Sequence, residues 1–287
     1  MSEQDNTLLR ALELIRSNWI HGMHILREAA DQNPKDPRYQ IAMGDAFAAR
    51  KSFDKALQHY LIALSLDPSD QRVTALIANC YISIGEYRLA LAYYQKIVYL
   101  SDELMYNKAL AQAFLSKHED CINTLLEILP RFPNHPFIYY LLVEQYYYKG
   151  DSETALKYID QAKHQAGEHL QLYLLSAMIY SNLNRQLLAY DQYKKADNMG
   201  GIANSDHLLN YANAAYKSGL AIPALSIFER ITEKFPYLSE GWAGIIKIHL
   251  EQENYLQAKR YLNRAKKKLD RPSSVLRLLQ KRLDDLS

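Results

Sequence analysis

Residues 37–70 read PRYQIAMGDAFAARKSFDKALQHYLIALSLDPSD, and they describe two amphipathic helices joined by a short polar turn. The first helix places Gly44 and Phe47 on one side, and the second repeats apolar residues at steps of three and four from Phe53 onward. The second helix is expected to end before Pro68, because proline lacks the amide hydrogen and disfavours helix in the residue before it. The stretch therefore predicts a helical hairpin with one apolar inner side.

The same pattern returns along the whole chain, marked by small residues at nearly constant spacing. Neighbouring members are 34, 34, 31, 34, 34, 35 and 34 residues apart, and a large apolar residue follows each of them four positions later. A repeat near 34 residues is typical of stacked helix pairs, each of which buries its apolar face against its neighbours. We call these positions the small-residue column: Gly22, Ala56, Ala90, Cys121, Ala155, Ala189, Ala224 and Ala258.

On these residues the chain resembles the tetratricopeptide repeat (TPR) proteins. The resemblance implies an all-α fold, a right-handed α-solenoid of about eight helix-turn-helix units followed by a C-terminal capping helix at 273–287. The match is weaker in the first unit and in the fourth, where Lys108, Gln112 and His118 replace expected apolar residues. The predicted units are 3–36, 37–70, 71–101, 102–135, 136–169, 170–203, 205–238 and 239–272.

The one short spacing, between Ala90 and Cys121, removes three residues from the repeat. Three residues of α-helix span about 4.5 Å, which is most of one turn. We therefore expect the second helix of unit 71–101 to be shortened.

The segment after Pro272 repeats no unit. Ser273 or Ser274 can cap a helix whose leucines form one stripe. We favour a helix that covers the apolar end of the last unit, and a helix that binds a partner is the alternative. The leucines are Leu276, Leu279, Leu283 and Leu286.

Composition favours a cytoplasmic protein without a membrane span. No segment approaches the roughly 20 apolar residues that a spanning helix needs. The first residues have neither the basic start nor the apolar run of a signal peptide. Only two cysteines occur, and Cys80 and Cys121 fit packing positions, so we expect both to be reduced.

The formal net charge of +2 hides a basic C-terminal end. Ten Lys and Arg residues between 259 and 287 stand against three Asp residues, which gives this end a charge of +7. Such an end can bind an acidic partner, RNA or a membrane surface. The favoured interpretation is simpler, because cations complement the negative end of one helix dipole and cover the solvated face of the next helix.

No motif for catalysis, cofactor binding or metal binding occurs in the sequence. His21 and His24 are the only close histidine pair, and no further ligand stands at a zinc-binding spacing. The pair Gly200-Gly201 lacks the Lys-Ser/Thr of a phosphate-binding loop. We expect no catalytic residue, no cofactor and no metal, and we do not expect an enzyme.

The resemblance implies a concave groove lined by the first helix of each unit, and this groove is aromatic in its middle. Rigid aromatic side chains give large contact area at small entropic cost and dominate binding hot spots. The candidate groove residues are Asn79, Tyr106, Phe114, Phe137, Tyr140, Glu144, Tyr147, Tyr148, Leu174, Met178, Asn213 and Tyr216.

The leading hypothesis is a non-catalytic scaffold or adaptor that binds a peptide or helical segment of a protein partner in this groove. A clamp for a chaperone's C-terminal carboxylate is not expected, because Ala75, Phe137 and Leu141 stand where that clamp has basic residues. The alternative is RNA or acidic-partner binding through the basic end, although acidic groove residues such as Glu144 and Glu251 make nucleic acid the weaker option. We expect a monomer, with self-association through the ends as a further possibility.

Overall fold

The computed structural model describes residues 3–271 and 273–286, which contain helices and no strand. The chain divides into two compact bodies, residues 1–133 and 134–287. The first body contains α1 Glu3–Ser17, α2 Trp19–Gln32, α3 Pro37–Ala49, α4 Phe53–Leu66, α5 Gln71–Ile84, α6 Tyr87–Tyr94, α7 Asp102–Phe114 and α8 His118–Ile128, followed by a 3₁₀ turn, Leu129–Arg131. The second contains α9 Pro136–Tyr148, α10 Ser152–Ala166, α11 Leu170–Asn182, α12 Gln186–Asn198, α13 Ser205–Lys217, α14 Ala221–Lys234, α15 Ser239–Glu251, α16 Tyr255–Lys268 and α17 Ser274–Leu286.

The helix pair α3–α4 shows how one hairpin is held together. Asp36 caps α3 by accepting a hydrogen bond from the backbone N–H of Arg38 at 3.0 Å. Gly44 makes room for the ring of Tyr60, since a Cβ at this position would lie 2.4 Å from Tyr60 Cε1. The Tyr60 hydroxyl donates a hydrogen bond to Asp45 at 2.6 Å, which fixes the ring against α3. The second helix ends at Leu66, two residues before Pro68.

The small-residue column lies in the core of both bodies. Gly22 is buried, and each of the other seven residues has no exposed surface. The residues four positions later, such as Tyr60 and Tyr94, are buried as well. Within each body, neighbouring helices therefore pack through the two sets of positions that the repeat pattern marks.

The turn inside the hairpins has one recurring backbone conformation. Gly85, Gly150 and Gly219 have positive φ angles of 84°, 83° and 76°, as expected for a left-handed turn residue. Four non-glycine residues at the equivalent places adopt the same conformation, which sequence reasoning did not identify. They are Lys51, Ser116, Asn184 and Glu253, with φ between 56° and 58°.

The short repeat spacing between Ala90 and Cys121 corresponds to a short helix α6. This helix has 8 residues, whereas the second helix of the preceding pair, α4, has 14. The next helix begins at Asp102, after Ser101 caps it by accepting from the N–H of Leu104. The expected shortening is therefore confirmed.

The pair α7–α8, which has the weaker repeat pattern, contains a buried polar contact. The hydroxyl of Thr124 on α8 donates to the side-chain oxygen of Gln112 on α7 at 3.0 Å. Both residues are buried, and the hydrogen bond offsets the cost of removing the amide from water. A polar residue thus replaces an apolar one without leaving its amide oxygen unpaired.

The last helix covers the end of the second body. Ser273 caps α17 by accepting from the N–H of Leu276 at 3.4 Å. Leu276, Leu279 and Leu283 are buried in a cluster with Trp242 and with the inner residues of α16. Leu286 differs from the expected stripe, because the helix ends there and 47% of its surface remains exposed.

Candidate functional site

The candidate residues lie on first helices of the pairs, and they are distributed over both bodies. In the first body, Asn79 lies on α5, and Tyr106 and Phe114 lie on α7. In the second body, α9 carries Phe137, Tyr140, Glu144, Tyr147 and Tyr148, α11 carries Leu174 and Met178, and α13 carries Asn213 and Tyr216.

In the first body, Asn79 serves the packing between neighbouring pairs. Its side-chain oxygen accepts from the Tyr94 hydroxyl at 2.6 Å and from the Asn107 amide at 3.2 Å. Phe114 stacks on Tyr87 with 4.3 Å between ring centroids, and 64% of its surface stays exposed. Phe114 therefore offers a larger contact surface than Asn79, whose oxygen already has two partners.

In the second body, polar contacts join the neighbouring first helices α9 and α11, and likewise α13 and α15. The Asn182 amide on α11 donates to the hydroxyl of Tyr147 on α9. The Tyr216 hydroxyl on α13 donates to Glu251 on α15, and the Lys247 ammonium lies 4.6 Å from the centre of the Tyr216 ring. We call this the first-helix surface of the second body: Phe137, Tyr140, Glu144, Tyr147, Tyr148, Met178, Asn182, Asn213, Tyr216, Lys247 and Glu251.

The α9 part of this surface presents aromatic rings around a carboxylate. Phe137 and Tyr148 are 58% and 62% exposed, and Phe137 meets Tyr140 edge-on with 5.8 Å between ring centroids. Glu144 is half-buried, and burial raises the pKa of its carboxyl above the usual value. Burial also raises the pKa of Tyr140.

Leu174 does not contribute to this surface. The sequence predicted that it would project into the groove, but it is 5% exposed and lies in the core cluster of the second body. Its helix α11 is apolar on most sides, so the sequence pattern alone did not separate its core face from its open face. Met178, one turn later on α11, is only partly buried.

A cavity of about 350 Å³ lies at the far end of the first-helix surface. Asn213 and Tyr216 from α13 line it together with Lys247 from α15 and Val275 at the start of α17. Sequence reasoning placed Asn213 and Tyr216 in the groove, but it missed Val275, because the approach of α17 is a tertiary contact without a repeat pattern. Apolar side chains line the cavity together with an amide, a phenol and an ammonium group.

The surface of α16 and α17 is strongly basic. All ten Lys and Arg side chains between 259 and 282 are exposed. Three of them, Lys266, Lys267 and Lys268, occupy the last turn of α16, where cations complement the helix dipole. In the described part of these two helices, no ion pair joins a Lys or Arg to a carboxylate.

Within residues 3–271 and 273–286, no group of three His, Cys, Asp or Glu side chains is arranged to hold a metal ion. In the same part of the chain, no helix has the length and apolar character required to cross a bilayer. Cys80 and Cys121 are buried free thiols, and burial, with a smaller effect of the Asp45 carboxylate, raises the pKa of Cys80 to about 11.

Solved structures of TPR proteins are similar to this chain. The C-terminal part of a TPR repeat-containing protein of Cytophaga hutchinsonii matches with a TM-score of 0.67 at 14% identity, covering 83% of this chain and 99% of that chain. A TPR protein of Parabacteroides merdae matches with a TM-score of 0.61 at 14% identity, covering 87% of this chain and 99% of that chain. A chain of the APC/C hetero-tetramer Cut9–Hcn1 matches with a TM-score of 0.50 at 15% identity, covering 98% of this chain and 63% of that chain.

No protein-family model matches the chain, and no curated protein matches it. The structural likeness, together with the tandem helix pairs, shows a TPR-type α-solenoid fold. The all-α fold class predicted from the repeat period is therefore confirmed.

Proposed function

We propose that this chain is a non-catalytic scaffold or adaptor, and that the first-helix surface of its second body binds a peptide or helical segment of a protein partner. The observation that carries the proposal is the exposure of aromatic rings on α9, beside polar side chains that are hydrogen-bonded between neighbouring first helices. Phe137 and Tyr148 each expose more than half of their surface. Large exposed rings of this kind supply most of the binding energy in protein interfaces.

The geometry also supports an extended binding mode. The contacts from Asn182 to Tyr147 and from Glu251 to Tyr216 join residues 35 positions apart, so they repeat the same link in different pairs of units. A partner segment laid across these helices would meet similar chemistry at regular intervals, ending at the cavity beside Val275. The similar chain from the Cut9–Hcn1 hetero-tetramer is part of an assembly, which is compatible with a role in assembly for this fold.

Site-specific crosslinking tests the proposal. A photoreactive phenylalanine analogue replaces Phe137 in the tagged chain, and the control carries it at Tyr237, which is 69% exposed and lies in the α14–α15 connection outside the first-helix surface. We expect one partner to be crosslinked reproducibly from position 137 and not from position 237.

The partner segment identified by mass spectrometry is then synthesised, and its affinity is measured with the wild type and with Tyr140, Tyr147 and Tyr148 replaced together by Ala. Loss of three anchors of this size should lower the affinity by at least 100-fold, which is about 2.7 kcal/mol. Equal affinity for the wild type and the variant, with circular dichroism showing the same helix content, would contradict the proposal that the first-helix surface binds the partner.

The proposed compartment is the cytoplasm. Two buried cysteines that remain free thiols are compatible with a reducing environment. Fractionation of cells that express the tagged chain tests this, and recovery only from a membrane or extracellular fraction would contradict it.

A second candidate function rests on the unpaired cations of α16 and α17. Because they lie exposed without acidic partners among the described residues, they can bind RNA or an acidic protein segment through counterion release. Binding of a single-stranded RNA oligonucleotide measured from 50 to 300 mM salt tests this alternative. A steep loss of affinity with salt supports it, and no binding at 50 mM salt rejects RNA as the ligand.

A further inference from the structure

Asp45 on α3 shows how this fold satisfies an acidic residue at one position of the first helix. Two partners reach its carboxylate: the Tyr60 hydroxyl of the same unit donates at 2.6 Å, and the Arg72 guanidinium of the next unit lies at 3.9 Å. The Tyr60 hydroxyl thus donates a hydrogen bond to the Asp45 carboxylate, and the Arg72 guanidinium balances its negative charge.

Glu144 occupies the equivalent position on α9, three units later, and it lacks both partners. The residue equivalent to Tyr60 is Ile159, which has no hydroxyl group, and the residue equivalent to Arg72 is Gln171, which has no charge. Among the described residues, none forms an ion pair or hydrogen bond with the Glu144 side chain. The carboxylate is nevertheless half-buried, and this burial disfavours its charged form.

The following unit has the opposite mismatch: it contains the tyrosine but lacks the acidic residue. Tyr193 on α12 is equivalent to Tyr60, but the position of Asp45 is taken by Met178, which cannot accept its hydrogen bond well. Tyr193 has no exposed surface, and its hydroxyl lacks the carboxylate acceptor that Tyr60 has, although the side-chain amide of Asn210 on α13 lies beside it. The phenol also lies within electrostatic range of Tyr147, which is one helical turn from Glu144 on α9. A buried phenol without an acidic partner therefore lies close to the same part of the first-helix surface.

Aromatic rings flank the Glu144 carboxylate along its own helix. Tyr140 precedes it by four residues, and Tyr147 and Tyr148 follow it by three and four, so all three lie on the same face of α9. The faces of such rings attract cations. The combination of an unpaired carboxylate and adjacent phenol rings matches the chemistry of an ammonium or guanidinium group.

We propose that Glu144, with Tyr140, Tyr147 and Tyr148, forms a subsite for an arginine or lysine side chain of the bound partner segment. The inference rests on the proposed function and adds the chemistry of the ligand. The incoming cation takes the place that Arg72 takes beside Asp45, and the rings cover its apolar stem. Guanidinium suits the site better than ammonium, because it stacks on rings while it donates to a carboxylate.

The test is a selection from a random peptide library displayed on phage, with the folded full-length chain as the target. Three variants are selected in parallel: Glu144→Gln, Glu144→Lys and Glu233→Gln. The last is the matched control, because Glu233 is an exposed carboxylate on α14, outside the first-helix surface. Circular dichroism before selection establishes that each variant is folded.

We expect the wild type and Glu233→Gln to enrich peptides with Arg or Lys at one fixed position. Glu144→Gln should lose that preference, and Glu144→Lys should enrich Asp or Glu there. For the best peptide, replacing its basic residue by citrulline or Gln should weaken binding to the wild type by about 10- to 100-fold, as expected for one charge-assisted contact. The same replacement should change binding to Glu144→Gln by less than about threefold.

Two outcomes separate this inference from the function it rests on. Enriched peptides without a fixed basic position, or an identical motif for Glu144→Lys, would overturn the subsite and leave peptide binding intact. If neither the wild type nor Glu233→Gln enriches any peptide, the proposed peptide-binding function is contradicted and the subsite with it.

Discussion

Replacement of Gly44 by Ala tests the packing of the hairpin quantitatively, because two effects of opposite sign can be compared. In the middle of a helix, Ala alone would stabilise the protein by about 1 kcal/mol relative to Gly. The added Cβ, however, would lie 2.4 Å from Tyr60 Cε1. Packed carbon atoms stay about 3.5–4.0 Å apart, so the ring must move by about 1 Å or more.

Movement of Tyr60 is costly, since its ring is buried and its hydroxyl is held by Asp45. Overpacking of this kind costs about 1–3 kcal/mol. Loss of a hydrogen bond to a charged group costs about 1.5–3 kcal/mol. After subtraction of the helix-propensity gain, we expect Gly44→Ala to lower the free energy of unfolding by about 1.5–5 kcal/mol.

The assay is urea unfolding followed by circular dichroism, with hydrogen exchange of α3 and α4 to locate the change. Gly200→Ala is the control, because a Cβ there meets no atom within 4 Å. In a double-mutant cycle, Tyr60→Leu should cost less in the Gly44→Ala background than in the wild type, since it removes the overlapping ring. A Gly44→Ala protein at least as stable as the wild type would refute the packing argument.

Three further predictions concern single residues. Lys51 adopts a left-handed φ of 58°, so Lys51→Gly should raise the free energy of unfolding by about 1 kcal/mol. Gly85 has the same conformation, so Gly85→Ala should lower the free energy of unfolding by a similar amount. Stabilities equal to that of the wild type in urea titrations would contradict both predictions. Burial raises the pKa of Glu144 above its usual 4.5, so wild-type stability falls as pH rises through the window between the two values. Glu144→Gln should therefore be more stable than the wild type at pH 7, and this difference in stability should shrink below about pH 4. A difference in stability that stays constant across a pH series of urea titrations would refute the prediction. Burial raises the pKa of Cys80 to about 11, so iodoacetamide at pH 8 should label it only as the protein unfolds, whereas rapid labelling of the folded chain would contradict the buried thiol.

The repeat pattern predicted the fold because its signals are local and recur. Small residues such as Ala56 mark close helix contacts wherever they occur, and Pro68 ends a helix whatever surrounds it. The shortened helix α6 followed from a change in spacing alone. The left-handed turn at Lys51 was not recognised, because a lysine carries no sequence signal for positive φ.

The candidate site was harder to predict, because exposure depends on contacts between units. Leu174 and Met178 lie one turn apart on the same apolar helix, yet only Met178 remains partly open. The missing partners of Glu144 became evident only when the contacts of Asp45 were compared position by position. The missing carboxylate acceptor of Tyr193 likewise became evident only from the structure, since the sequence alone does not tell which tyrosines find one.

Hydrogen exchange of the full chain with and without a selected peptide tests the central claim most directly. Binding to the first-helix surface should slow exchange in α9 and in the first helices that follow it, α11 and α13, and leave α16 unchanged. Protection confined to α16 and α17, or no protection in α9 when the chain is saturated with peptide, would contradict the account.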